Sequence, residues 1–334
     1  DRDLNARWVF SGLAIGLVCM IILYIFLSGS PMGGTVAAII MLILGFFFAA
    51  VSGNLIGLIG SSNNPVSGLT LSTVLIAALM MVTIGVTGGD GVAATLGVAA
   101  VICVSSAVAG EMMQDLKVGH ILGATPSRMQ AGDLLSAIIS ALVMYFPLLV
   151  LHEGNIRAGG IGFGDRELPA PQAGLMASLA QGIVGGEMAW PLVVFGMAMG
   201  IALIMLRMRS PMLFAVGMYL PLETTFTIFV GGLIRWAMDT LAKRRALNAA
   251  QTARVENAGI LMASGLIAGE ALTGLAVATY VFFKPPDQPM FAFLQDPSIL
   301  FGMGVLGLLA LAMVFVPLGH AGNPEDPAPP QAIA

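Results

Sequence analysis

A cluster of small polar residues in the middle of a long uncharged stretch is the first place where this chain could do chemistry. From residue 8 to residue 89 no side chain is charged, yet the segment Gly60-Ser-Ser-Asn-Asn-Pro-Val-Ser-Gly68, here called the polar segment, interrupts the stretch. Hydrocarbon offers backbone groups no hydrogen-bond partners, so a broken helix at membrane depth is tolerated only where it packs against protein or lines a cavity. The pattern therefore predicts a polar site inside a membrane protein.

The side chains of the polar segment indicate what such a site could bind. Amides and hydroxyls supply both donors and acceptors, and Pro65 with Gly68 stops the helix and frees backbone carbonyls. This chemistry suits an ion, a peptide backbone or a chelate. We predict that the substrate is contacted by Asn54, Ser61, Ser62, Asn63, Asn64, Pro65 and Ser67. The structural alternative is a plain turn at the membrane surface, with Asn64 as the cap of a helix that starts at Pro65.

Acidic residues inside or beside apolar segments form the second candidate group. An ionised side chain at the bilayer centre costs about 2.5 to 3.5 kcal/mol on insertion scales, so such residues rarely occur without a role. We predict a role in proton coupling or in shaping a cavity for Glu111, Glu187, Glu223 and Glu270. A neutral, hydrogen-bonded glutamate that locks helices together is the alternative. Glu111 and Asp133 also flank a polar loop and fit an interfacial position, whereas Asp115 is most simply part of a solvated face.

Other kinds of chemistry lack support in the sequence. The histidines His120, His152 and His320 lie in separate segments, and the chain contains neither Cys-x-x-Cys nor His-Glu-x-x-His. No nucleophile is paired with a base. The net charge of −4 and the absence of a basic, aromatic patch argue against nucleic acid as a partner. We therefore expect no catalytic residue, no enzyme activity, no metal site and no cofactor.

The composition predicts the architecture that must position these residues. Of 334 residues, 57% are hydrophobic and 10% are charged, against about 25% charged in soluble domains. A spanning helix needs about 20 apolar residues, so we predict an all-α, polytopic transmembrane bundle. The expected spans are 8–28, 34–59, 68–88, 92–110, 132–152, 188–206, 223–240, 257–283 and 298–318. Two shorter apolar pieces, 173–186 and 210–222, are candidate half-helices or re-entrant segments.

The basic residues predict the orientation of the chain. If the N-terminus is cytoplasmic, only Arg157, Arg166 and Lys284 of the 14 lysines and arginines lie outside, as the positive-inside rule requires. This arrangement needs 173–186 to be re-entrant or otherwise not to cross the membrane, and it needs 210–240 to form a hairpin. We assign residues 1–320 to a transmembrane domain in the membrane lipid of a bacterial inner membrane. We expect residues 321–334 to form a disordered, Pro- and Ala-rich tail.

Two pairs of similar short segments suggest an internal repeat. Asn64-Pro65 and Ser210-Pro211 each follow a long apolar run, and Ala109-Gly110-Glu111 recurs as Ala268-Gly269-Glu270. The two offsets differ by several residues. A duplicated unit of helices nevertheless fits a transporter built from repeats.

Three stretches together carry a family resemblance. They are the polar segment with Leu69-Thr70, the stretch Gly110-Glu-Met-Met-Gln-Asp-Leu-Lys-Val-Gly-His-Ile-Leu-Gly-Ala-Thr-Pro126, and Met218-Tyr-Leu-Pro-Leu-Glu-Thr224 with Gly231-Gly-Leu-Ile-Arg235. Over residues 1–320 the chain resembles the prokaryotic branch of the oligopeptide transporter family. Members of that family are about twice as long, and the chain looks like a C-terminal half.

The resemblance implies a function and a set of partners. It implies a secondary transporter, coupled to protons, that imports small peptides or peptide-like metal chelates and works with a missing N-terminal half. A passive channel, or a permease or assembly subunit of a larger membrane complex, is the alternative. Persistent uptake without a proton gradient, or a need for an ATPase partner, would favour that alternative.

Overall fold

The computed structural model describes residues 3–59, 64–166, 168–208, 211–283 and 298–328. Within these ranges the chain forms eleven α-helices and no β-strand. The helices are α1 Ala6–Ser28, α2 Pro31–Ile59, α3 Val66–Thr83, α4 Gly88–Leu122, α5 Pro126–Arg157, α6 Pro171–Val184, α7 Trp190–Met205, α8 Pro211–Tyr219, α9 Leu222–Arg244, α10 Ala249–Phe283 and α11 Ile299–Gly319.

Most of the helices are long and apolar enough to cross a membrane, which confirms the predicted all-α polytopic bundle. Seven helices in the described residues qualify by length and composition, namely α1 to α5, α10 and α11. Helix α7 lies within the predicted span 188–206 and has only 16 residues. Helix α9 contains the predicted span 223–240 and is not among the seven, because Arg235 and Asp239 interrupt its apolar character.

The two short apolar pieces form separate short helices. Helix α6 begins at Pro171 and is followed by Gly186, whose φ of 77° lies in the left-handed region. Helix α8 begins at Pro211 and ends before Pro221. Proline lacks the backbone N–H and is favoured at the first position of a helix, where that N–H would have no partner. Both elements are therefore too short to span hydrocarbon as single helices.

Helix α4 extends well beyond its apolar run. The residues that follow Glu111, where the sequence predicts a polar loop, continue the helix to Leu122. Gly123, with φ of 75°, ends α4, and α5 starts at Pro126. Polar side chains are compatible with a helix in water, whereas a left-handed glycine and a proline are strong stop signals. The connection between α4 and α5 is therefore only three residues long.

The chain divides into two compact units. The first contains α1 to α4, α5 as far as Tyr145, α6 and α7. Its core is formed where α2 and α4 pack together and α1, α3 and α6 pack beside them. Small side chains such as Ala37, Ala77 and Ala94 are fully buried there and let the helices approach closely. The hydroxyl of Tyr24 donates to the carbonyl of Gly97 at 3.3 Å, which satisfies a polar group inside this core.

The second unit contains α5 from Phe146, the loop that follows it, and α8 to α11. Its core joins α9, α10 and α11 through Met238, Val255 and Val314. Where we expected a disordered tail over 321–334, the structure describes residues 321–328 against the start of α10. The guanidinium of Arg254 donates to the carbonyls of Ala321, Asn323, Asp326 and Pro327. These charge-assisted bonds hold residues 321–327 beside the start of α10, and a disordered tail over 321–334 stays a prediction.

Helix α1 and helix α2 meet at Gly34, which generates a prediction about stability. A Cβ at this position would overlap the backbone of Ile25, so Gly34→Ala forces the two helices apart. We expect a loss of about 1 to 3 kcal/mol, the usual cost of overpacking, visible as a lower melting temperature in detergent. Gly12→Ala on α1 is the matched control, because no atom lies within 4 Å of a Cβ there. Equal melting temperatures for the two variants would contradict the close contact.

Candidate functional site

The amide of Asn64 is bonded inside the protein at the junction of α2 and α3. Its Nδ2 donates to the hydroxyl of Ser52 at 2.9 Å, and that hydroxyl donates to the carbonyl of Ser106 on α4 at 2.6 Å. Ser52 and Ser106 are both fully buried. Asn64 therefore connects the start of α3 with α2 and α4 through a buried polar network.

Close contact between α2 and α4 makes this network possible. A Cβ at Gly110 would overlap Ile56 and lie 3.1 Å from Nδ2 of Asn64. Glycine at this position leaves room for the side chains of Ile56 and Asn64 between α2 and α4. Among the described residues, the Ser106 hydroxyl is a buried polar group of this network that has no hydrogen-bond partner.

The remaining residues predicted at the polar segment have different surroundings. Asn54 is exposed on α2, and the hydroxyl of Ser67 donates to Oε1 of Gln172 on α6 at 3.3 Å. Pro65 occupies the N-cap position, and α3 begins at Val66, one residue later than in the structural alternative. Ser61, Ser62 and Asn63 lie outside the described residues.

Three carboxyl groups line one cavity in the first unit, here called the carboxyl cavity. Its volume is about 360 Å³, and it lies between α4 and α5. Glu111 and Asp115 are four residues apart on α4, so they lie on one face of the helix, and Asp133 comes from α5. The other described lining residues are small, apolar or hydroxyl-bearing: Val104, Val108, Met112, Ser136, Ala137, Ser140, Ala141 and Met144. None of the described lining residues is basic.

Asp115, which is exposed, and Asp133, which is half-buried, line the same cavity, and their negative charges lie close enough to interact. The Oδ2 atom of Asp133 is buried, and no donor reaches it from the described residues. Two facing carboxylates repel each other, and one shared proton between them removes the repulsion. The pair is therefore suited to binding and releasing a proton. Sequence reasoning missed it, although Asp115 has the helical spacing from Glu111 that would place both on one face.

The other predicted glutamates lie apart from the carboxyl cavity. Glu187 is exposed between α6 and α7. Glu223, in the first turn of α9, accepts a bond from Arg166 at 2.7 Å, and both side chains are exposed. Glu270 is exposed near the middle of α10. An exposed ion pair such as that of Glu223 contributes at most about 1 kcal/mol in water.

The described residues contain no group of three or more histidine, cysteine, aspartate or glutamate side chains that could hold a metal ion. A second, larger cavity of about 730 Å³ lies along the start of α1. It is lined mainly by apolar side chains such as Trp8, Leu13 and Met41. Apolar walls suit a lipid chain better than they suit a peptide backbone, because buried amides need hydrogen-bond partners. The carboxyl cavity and the polar segment are therefore the better candidates.

Comparison with known proteins supplies independent information. The family model described as OPT oligopeptide transporter protein matches residues 1–281. A Haemophilus influenzae protein named as a candidate oligopeptide transporter is 29% identical over 310 residues, which is 83% of this chain and 49% of that protein. A Saccharomyces cerevisiae protein with a similar name is 25% identical over 303 residues, covering 83% of this chain and 38% of that protein. The chain thus spans about half or less of these relatives' length. No solved structure matches it.

The network around Asn64 generates a prediction about stability. Asn64→Ala removes the bond that its amide donates to the buried hydroxyl of Ser52, and a typical hydrogen bond contributes about 0.5 to 1.5 kcal/mol. We expect a lower melting temperature of the purified protein in detergent. Asn54→Ala is the matched control, because this exposed amide lies on the same helix, two residues after Ser52, and surface changes usually stay within about 0.5 kcal/mol. Equal decreases in melting temperature for the two variants would show that the Asn64 network does not contribute specifically to stability.

Proposed function

Because the chain belongs to the oligopeptide transporter family, we propose that it forms part of a secondary active transporter that moves oligopeptides across a membrane with coupling to protons. The observation that carries the proposal is the carboxyl cavity, in which Asp115 and Asp133 face each other beside Glu111. Secondary transport needs a group that takes up the driving ion in one state and releases it in another. A carboxyl pair in a mainly apolar cavity supplies such a group.

The proton acts in this proposal by changing the charge between α4 and α5. With one proton shared, the Asp115–Asp133 pair carries one negative charge and draws the two helices together. Without the proton, the two carboxylates repel each other and favour separation or solvation. Glu111, four residues before Asp115, exchanges the proton with the pair. Glu187, Glu223 and Glu270 are proposed as further coupling or cavity residues, as their positions in or beside apolar segments suggested.

The substrate in this proposal is bound at the polar segment. The bonds of Asn64 to the buried network suit a positioning role for its amide, together with Pro65, which starts α3. Asn54 and Ser67 keep polar atoms at or near the surface, where an amide or carbonyl of a peptide could reach them. Ser61, Ser62 and Asn63 complete the proposed set. Peptide-like metal chelates present the same amide and carboxylate groups and belong to the same proposed substrate class.

The proposed transporter needs more protein than this chain. The chain covers 49% and 38% of the two relatives, so a pathway like theirs would include a second portion of similar size. We propose that an N-terminal half is the partner and that the N-terminus of the present chain is cytoplasmic in a bacterial inner membrane. The distribution of lysine and arginine supports this orientation.

The role of the Asp115–Asp133 pair can be tested by uptake into proteoliposomes that contain the full-length protein. Asp133→Asn keeps the size of the side chain but cannot release a proton. We expect uptake of dipeptides and tetrapeptides driven by a proton gradient to fall at least about tenfold, a change of about 1.4 kcal/mol. Exchange of labelled for unlabelled peptide without a gradient should persist, because it needs no net proton movement.

Glu325→Gln is the control for this experiment, since Glu325 is exposed and lies outside the helices. If the Asp133→Asn variant takes up peptide at the wild-type rate when a proton gradient is applied, the Asp115–Asp133 pair has no role in proton coupling. Uptake that persists in the native protein without a gradient would favour a passive channel. If the pH dependence of uptake is unchanged after Glu→Gln at position 111, 187, 223 or 270, the residue at that position has no role in proton coupling.

The substrate site generates a separate prediction. Asn54→Ala and Ser67→Ala each remove one hydrogen-bonding group, and a typical bond contributes about 1 kcal/mol. We expect the KM for peptide uptake to rise about fivefold in each variant with little change in maximal rate. Ser72→Ala is the control, because this exposed α3 hydroxyl donates to the carbonyl of Gly68 within its own helix. Wild-type KM values in both variants would contradict substrate binding at the polar segment.

A further inference from the structure

A glycine-rich loop, residues 158–166, folds back over the last turns of α5 and is here called the glycine loop. The backbone N–H of Gly162 donates to Oδ1 of Asn155 at 2.8 Å, and that of Phe163 donates to Nδ1 of His152 at 3.2 Å. The ring of Phe163 stacks on the imidazole, with 5.4 Å between ring centroids and 25° between planes. The loop is therefore held by two side chains of the helix that precedes it.

Two glycines make this contact possible. A Cβ at Gly160 would overlap the amide of Asn155, and a Cβ at Gly162 would overlap the imidazole of His152. Gly162 also has a φ of 86°, which side chains rarely adopt. The backbone approaches the ring as closely as it does only because the loop has no side chains at these points. The close fit distinguishes this contact from a casual surface contact.

The hydrogen bond to His152 depends on the charge of the imidazole. Nδ1 can accept from Phe163 only when it carries no proton, so the neutral ring must hold its proton on Nε2. An imidazolium has an N–H at both nitrogens and cannot accept. We propose that His152 is a proton-sensitive latch, which holds the glycine loop against α5 when the ring is neutral and releases it when the ring is protonated.

The direction in which the loop contact responds to pH follows from the role of His152 Nδ1 as a hydrogen-bond acceptor. The closed loop requires the neutral ring, so the contact is present at higher pH and is lost as the pH falls. The charged groups described in the last two turns of α5 and in the loop are Glu153, Arg157, Asp165 and Arg166, and Glu223 at the start of α9 contacts the loop. Asp165 accepts from the backbone N–H of Ile161 at 3.0 Å, and Arg166 pairs with Glu223. Each of these acids could also respond to pH, and each therefore needs its own control.

The latch goes beyond the proposed transport function and does not depend on it. The glycine loop is the first part of the connection from α5 to α6, the short helix that packs on α3 and α4. Release at His152 lengthens the free connection before α6 without breaking any helix. The proposal therefore predicts a local change confined to the loop.

Hydrogen exchange in the full-length protein in lipid nanodiscs tests the latch. The amide of Phe163, which donates to His152, is followed from pH 8 to pH 5, the range in which imidazoles ordinarily change charge, after correction for the intrinsic pH dependence of exchange. We expect its protection to fall about fivefold in the wild type, as for one lost hydrogen bond. In His152→Gln, whose side chain accepts a bond at every pH, protection should stay constant. A flat wild-type profile, or a full response in His152→Gln, would overturn the proposal.

Further variants separate the effect of the imidazole from that of the nearby acids and of the stacked ring. Glu153→Gln, Asp165→Asn and Glu223→Gln should keep the wild-type response, and a response abolished by any one of these changes would assign the effect to that acid instead. Phe163→Leu should also keep it, because the donor is a backbone N–H. Gly162→Ala leaves His152 intact but collides with its ring, so the loop should be unprotected at every pH. Protection in Gly162→Ala equal to the wild type would contradict the close contact.

Discussion

The absence of hydrogen-bond partners in hydrocarbon is the constraint on which the rest of the structure depends. The chain breaks between α2 and α3, and polar groups buried beside the break must be satisfied by other parts of the protein. Ser52, Asn64 and Ser106 meet this need with a buried network that joins three helices. The same contact fixes how closely α2 and α4 approach. A polar requirement thus determines the packing of an apolar core.

Small residues and charged residues have complementary roles in this arrangement. Glycine and alanine at the helix contacts allow side-chain hydroxyls and amides to meet across them, as at Gly110 in the first unit. The glycine loop of the second unit uses the same principle, since Gly162 lets the backbone reach His152. Charged side chains collect instead where helices end or cavities form, as at Asp115 and Asp133. Polar contacts in this membrane protein therefore form where small residues leave room for them, whereas charged groups lie at helix ends and cavities.

The sequence predicted the helical fold well, because apolar length directly reports which helices can span hydrocarbon. Helix ends were harder to predict, since hydropathy marks where a membrane begins and not where a helix stops. Helix α4 ends at Gly123, well after its last apolar stretch. The candidate site was only partly predictable. Glu111 stood out locally, but Asp133 could be paired with Asp115 only after the tight turn before Pro126 was known. Likewise, nothing near Asn64 in sequence indicated that Ser106 would be its neighbour.

The length of α4 has a mechanical consequence. Its 35 residues extend about 52 Å at 1.5 Å per residue, whereas the hydrocarbon core of a bilayer is only about 30 Å thick. The helix must therefore tilt strongly or project roughly four turns into water. It does so without a break, so it is a stiff rod that passes from lipid into solvent. Because the helix is stiff, any tilt of the segment around Ser106 also displaces the segment around Asp115.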